Sequence, residues 1–210
     1  MIAIRDWGII DFTEAWDRQR VLAQAVLSGE KPSTLVLCQH PSVITIGRNG
    51  SDANIIASQE ELKGKGIQVI PINRGGDVTL HNLGQLIGYP IFRLTDFRED
   101  LHWFLREIET CIIETIAEYG VIGLHVDRST GVWVDEGKRK ICAIGIHCTR
   151  WVTSHGFALN VSNDMSEFEL IIPCGISDKG VTSISKEIGT TASIMKVKEI
   201  CIRKFSKHFA

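Results

Sequence analysis

Short β-rich runs that follow one another across tight turns constrain this chain most. Residues 131–134 and 140–148 flank Asp135-Glu136-Gly137-Lys138, a hairpin turn. Residues 34–39 and 43–46 flank His40-Pro41-Ser42, and residues 77–80 and 85–94 are joined by His81-Asn82-Leu83-Gly84. A strand over 67–72 leads into the Arg74-Gly75-Gly76 turn, and 155–161 and 181–184 read as further strands. Strands joined this directly predict sheets that are mostly antiparallel or mixed, unlike a doubly wound nucleotide-binding fold.

Helical spacing is confined to a few segments. Over 13–29, Trp16, Val21, Leu22 and Ala25 share one face, Asp11 or Thr13 can cap the start, and Gly29 ends it. The clearest helix is 101–119, where Leu101, Phe104, Leu105, Ile108, Ile112, Ile116 and Tyr119 form a stripe. Residues 192–208 read as a closing helix, 165–168 as a helical turn and 47–54 as a polar loop. The expectation is a mixed α/β (α+β) chain forming one domain over residues 1–210, long enough for a sizeable core.

A net charge of −2 argues against nucleic acid as the main partner, which usually demands a strongly basic balance. The stretch MIAIRDWGIIDF lacks the apolar core of a secretory signal, and no window reaches the roughly 18 apolar residues of a membrane span. A cytoplasmic protein that does not meet a membrane is expected. Its six cysteines then read as free thiols. Cys38, Cys111, Cys142, Cys148 and Cys201 sit in apolar runs as small core residues, and no Cys/His spacing suits zinc, so no metal is expected.

Cys174 differs, lying between Pro173 and Gly175 after the apolar run Leu170-Ile171-Ile172. That is the end of an element, where a thiol can attack or be attacked; the plainer alternative is a buried turn thiol. Lys140 heads an apolar strand. It is either a surface lysine with a buried stem or an ammonium set beside a thiol, lowering the thiol pKa and moving protons. Gly75-Gly76 lacks the spacing of a phosphate loop and can be an ordinary turn. Arg74 can hold an anion or make a surface pair. His81 and His155, each taken alone, are more simply hydrogen-bonded core histidines than acid/base groups.

In order along the chain, these segments resemble one family, the octanoyltransferases of lipoate biosynthesis, or lipoyl(octanoyl) transferases. The match runs from Glu14-Ala15-Trp16 to Gly189, more than four fifths of the chain. It includes the segment from His40-Pro41-Ser42 to Gly47, the Arg74-Gly75-Gly76 to His81 stretch, Gly84 to Pro90 and Gly131-Val132-Trp133. It continues through Lys140 to Gly145, His155-Gly156-Phe157-Ala158-Leu159-Asn160, Ile172-Pro173-Cys174-Gly175-Ile176 and Gly180-Val181-Thr182-Ser183.

The resemblance implies a biotin/lipoate protein ligase catalytic-domain fold, with sheets enclosed by helices. It implies transfer of octanoyl from octanoyl-acyl carrier protein to a lysine of lipoyl domains, those of 2-oxoacid dehydrogenases and the glycine cleavage H protein. Cys174 matches the nucleophile and Lys140 the acid/base lysine. Arg74, Gly75, Gly76, Asp77, Val78, Thr79, Leu80 and His81 match one substrate-lining segment. Ala143, Ile144 and Gly145 match a second, and Gly156, Phe157 and Ala158 a third. No cofactor is implied, and a monomer is expected. The chain departs from the pattern at Asp77, where the family commonly has Gln or Lys, at Leu80, where it commonly has Tyr, and at Asn82-Leu83. The rivals are an ATP-dependent lipoate-protein ligase on the same fold, an amidotransferase that moves octanoyl between proteins, and a non-catalytic module that holds acyl-carrier or lipoyl domains. Acidic partners of this kind would meet a basic surface such as Arg74 with residues 138–140.

Overall fold

The computed structural model describes residues 1–127, 129–173 and 179–210. Eleven strands form two sheets among these residues. The larger contains β1 (Ala3–Ile9), β2 (Thr34–Gln39), β6 (Gln85–Ile91), β7 (Leu124–Val126), β8 (Ser129–Val134), β9 (Arg139–Thr149), β10 (Val152–Asn160) and β11 (Gly180–Val181). Its strands run in the order β1-β2-β6-β10-β9-β8-β7, with β11 paired to β9. Most pairs are antiparallel, while β1–β2 and β11–β9 are parallel. The smaller sheet orders β4 (Gln68–Pro71), β3 (Val43–Ile46) and β5 (Val78–His81), parallel then antiparallel. The mixed, mostly antiparallel architecture is present, but of the three turn-linked pairs only β8 and β9 form a hairpin; the turns after β2 and β5 carry the chain between the two sheets.

Helix α1 (Phe12–Leu27) starts where Asp11 accepts hydrogen bonds from the Thr13 and Glu14 amides, at 2.8 and 3.2 Å. Asp11, not Thr13, is the cap. Helix α3 (Leu101–Ala117) starts at Asp100, which accepts from the Trp103 amide at 3.0 Å. The closing helix α5 (Ile194–His208) packs beside α3. Short helices α2 (Gln59–Gly64) and α4 (Ile184–Ile188) complete the set among described residues. The stretch expected as a strand over 181–184 divides instead. Only Val181 pairs in β11, and Ser183 caps α4 through the Lys186 amide. Strands β1 and β7 and helix α2 carry no clear periodicity in the sequence; they form because neighbouring edges and cores accept them.

Residue alternation divides the larger sheet into two faces. Leu35, Leu37, Leu86, Phe157, Leu159 and Ile146 belong to the core that holds Phe104, Ile108, Ile112, Val197 and Phe205 of α3 and α5. Val36, Cys38, Ile87, Tyr89 and Ala158 point the other way, with Ala15 and Val26 of α1. The smaller sheet has its own core around Ile44, Val78 and Leu80. Cys38, Cys111, Cys142 and Cys201 are buried as expected, and Cys148 is half-buried.

Candidate active site

A cavity of about 380 Å³ opens on the α1 face of the larger sheet, within the size range of small-molecule sites. Its floor comes from β9 and β10, where Ala143 pairs with Ala158 and Gly145 with Gly156. The small residues there have a structural reason. A Cβ on Gly156 would lie 2.0 Å from the Gly88 carbonyl oxygen, and one on Gly145 would lie 2.6 Å from that of Gly75. Only glycine lets the neighbouring backbones come this close. Ile144 and Phe157 border the cavity from the same strands, but the Phe157 ring stacks on Phe205 of α5, centroids 5.4 Å apart.

Lys140 reaches this face through an irregularity. Val132 pairs with Cys142, but the next residue, Trp133, pairs with Lys140, so β9 has one extra residue, Ile141. Ile141 and Cys142 both enter the core under α3, and the alternation shifts by one. Without this bulge Lys140 would fall on the opposite face from Ala143 and Gly145. With it, Lys140 lines the cavity, 8% exposed, its Nζ 4.6 Å from the Trp133 ring centroid. The reading of Lys140 as a surface lysine is thereby corrected, since bulge and ring hold it inward. Glu109 of α3 supports the place, accepting a hydrogen bond from the Gly131 amide at 2.8 Å.

The turn from Arg74 to Asp77 folds over the floor. The Gly75 amide donates to the Ile146 carbonyl at 2.9 Å. Arg74 is buried, donating to the Thr45 carbonyl at 2.8 Å and to the Gly75 carbonyl at 3.0 Å. It clasps the turn to β3, so it cannot supply surface charge to an acidic partner, contrary to expectation. Asp77 accepts from the Val78 amide at 2.7 Å and the Asn54 side chain at 2.6 Å, tying the turn to the loop before it. Arg74, Gly76, Asp77, Val78, Thr79 and His81 border the cavity. Gly75 and Leu80 do not; Leu80 is fully buried in the core of the smaller sheet, so its departure from the family pattern falls away from the cavity.

His81 and His155 also border the cavity, bonded to Gln85 at 2.9 Å and to Asn73 at 2.7 Å. Burial is the chief cause lowering each pKa to about 3, with nearby positive groups adding to it. Both are neutral at pH 7 and accord with the reading as hydrogen-bonded core histidines. Phe12, Ile72, Ile87 and Tyr89 complete much of the wall. Nothing in the sequence marked them, because a cavity wall and a core use the same residue types. Cys174, the expected nucleophile, lies outside the described residues. Among the described residues no group of His, Cys, Asp or Glu is placed to hold a metal ion, and no helix is long and apolar enough to cross a membrane.

Residues 11–206 match the family model of the lipoyl protein ligase A/B catalytic domain. The chain belongs to that family. An octanoyltransferase of Solibacter usitatus is 47% identical over 207 residues, covering 99% of this chain and 90% of the relative. Another, from Chloroflexus aggregans, is 46% identical over 193 residues, covering 91% and 87%. With such near-full-length relatives, this family member is an enzyme of the acyltransferase class. A bipartite lipoate protein ligase of Thermoplasma acidophilum, solved with its E2 lipoyl domain, shares the fold at a TM-score of 0.76. It is 15% identical, with 99% of this chain and 83% of that chain covered. A biotin protein ligase of Aquifex aeolicus aligns at a TM-score of 0.55 and 11% identity, over 99% and 68%. The expected biotin/lipoate ligase fold is the one found.

Proposed function

We propose that this protein transfers an octanoyl group from octanoyl-acyl carrier protein, through a thioester on Cys174, to a lysine of a lipoyl domain. It would act as a single-domain monomer in the cytoplasm, without a cofactor, on the lipoyl domains of 2-oxoacid dehydrogenases and on the glycine cleavage H protein. The names of its near-full-length relatives support the acyl group. The observation that supports the chemistry is Lys140, turned into the cavity on the Trp133 ring that Lys179 also meets. Before Cys174 in the chain, the Ile172 amide donates to the Asn54 carbonyl at 2.7 Å, and Asn54 holds Asp77 at the cavity edge. After it, the Lys179 Nζ lies 4.5 Å from the Trp133 ring centroid, the same ring that shelves Lys140.

The Cys174 thiolate attacks the carbonyl carbon of the carrier thioester. The bond to the phosphopantetheine sulfur breaks, and that sulfur leaves with a proton from Lys140. The target lysine amine then attacks the acyl-enzyme, its proton passes to Lys140, and the Cys174 thiolate is regenerated as the amide forms. Exchange between thioesters is nearly level in free energy and amide formation from one is downhill, so no ATP is consumed. Arg74, Gly75, Gly76, Asp77, Val78, Thr79, Leu80 and His81, with 143–145 and 156–158, form the substrate site. Gly75 and Leu80 serve it by anchoring the turn and strand that carry the others.

Intact-protein mass spectrometry after mixing with octanoyl-acyl carrier protein, without ATP, tests this reading. Wild type should gain one hydroxylamine-labile octanoyl group and Cys174→Ala none. Modification of the lipoyl domain only on addition of ATP and free octanoate would replace the transferase with a ligase. No modification under either condition would favour a binding module.

A further inference from the structure

We propose that Phe12, the first residue of α1, limits the length of acyl chain that the cavity accepts. This rests on the transferase reading above. The cavity has two unlike ends. Lys140 stands on β9, and Ile87 and Tyr89 stand on β6, two strands away across β10. Two strand spacings amount to about 9.5 Å, room for a short extended acyl chain lying across Ala143 and Ala158. At the β6 end the lining changes from alanine and glycine to bulky side chains. Phe12 closes that end, 3% exposed, packed with Val43 and Ile72.

Phe12 does not stand alone there. Its ring stacks on His81, centroids 5.9 Å apart and planes 7° from parallel, and meets His40 edge-on at 5.3 Å. His40 is fully buried behind Phe12 and does not border the cavity. It is held at both ring nitrogens, by the Ile10 carbonyl at 2.7 Å on Nδ1 and the Tyr89 hydroxyl at 2.6 Å on Nε2. The Nδ1 proton goes to the carbonyl, and burial, which lowers the His40 pKa, favours the neutral ring in which Nε2 accepts from Tyr89. A layer fixed at two points cannot collapse into space that Phe12 vacates, so shortening Phe12 lengthens the cavity.

The test compares initial rates of enzyme acylation by octanoyl-, decanoyl- and dodecanoyl-acyl carrier protein. Wild type, Phe12→Leu and Phe12→Ala are measured beside Phe104→Leu, a buried aromatic of the opposite core. Each added methylene that gains a place in an apolar pocket is worth about tenfold or more, so the dodecanoyl-to-octanoyl ratio should rise at least about tenfold in Phe12→Ala and less in Phe12→Leu. Phe104→Leu should lose stability with its ratio unchanged. Should Phe12→Ala fail to fold, Phe12→Leu carries the test. Ratios in the Phe12 variants that stay with that of wild type, or a ratio that moves equally in Phe104→Leu, would overturn the proposal. A wild type acylated by no carrier thioester would instead defeat the donor reading, and this inference with it.

Discussion

On one face of the eight-stranded sheet, Leu37, Leu86, Leu159 and Ile146 pack into a dry core beneath α3 and α5. On the other, Ala143, Gly145, Gly156 and Ala158, alternating with such residues on the same strands, floor a cavity. The first face is closed by interlocking aromatic rings, among them Phe92, Phe104, Phe205 and Phe209, with neighbouring centroids 4.9 to 5.8 Å apart. The second is roofed by a turn that Arg74 and Asp77 pin down through hydrogen bonds. Large side chains fill the first face, while small ones on β9 and β10 leave room for a cavity beside the α1 core of the second. The candidate site thus lies across the same strands from the core under α3 and α5.

That division is broken most directly by changing one residue on each face. Lys140→Ala should lower both half-reactions by about 10²–10⁴-fold, the usual contribution of a positioned acid/base group. Its fold should persist, as circular dichroism would show. An unchanged rate would remove Lys140 from the chemistry and leave it a packing residue. Phe104→Ala should do the converse, costing about 3–5 kcal/mol of stability in urea unfolding, as for other buried aromatics. The molecules that remain folded should transfer acyl groups at the wild-type rate. A turnover defect there would show that the two faces are coupled.

Acid sensitivity belongs to the cavity face. His81 and His155 have pKa values near 3, against about 6.5 in an unfolded chain. Between those values the unfolded state binds more protons, so their contribution is complete above about pH 6.5 and is lost as pH falls toward 3. Melting temperature should therefore decline from about pH 6.5 downward, before most carboxylates titrate. Replacing both residues, His81→Gln with His155→Gln, should flatten the decline between about pH 6.5 and 5. An unchanged slope would place its origin elsewhere.

Local chemistry made the β8–β9 hairpin readable, while the turns after β2 and β5 gave no sign that they join two sheets. Asp135 and Gly137 tolerate left-handed backbone, and Asp135, Glu136 and Gly137 all have positive φ. The Leu101 stripe reads directly as the buried side of α3. Strand β1 was missed because its burial pattern has no regular alternation; it exists through parallel pairing with β2, a partner remote in sequence. In the candidate site, the Arg74–His81 stretch was legible as a unit through its order of residue types. The roles within it were not: Arg74 binds Thr45 and Leu80 turns to a separate core.

The sequence by itself determined the alternation of strands and turns, the amphipathic helices and the set of reactive residue types, because these follow from spacing and side-chain chemistry. Tertiary structure decided which faces those residues meet. The extra residue at Ile141 turns Lys140 into the cavity, and Phe12 closes the far end against a histidine fixed from Ile10 and Tyr89. Register and end-wall contacts depend on strands brought together from distant parts of the chain, and no local pattern of residues encodes them.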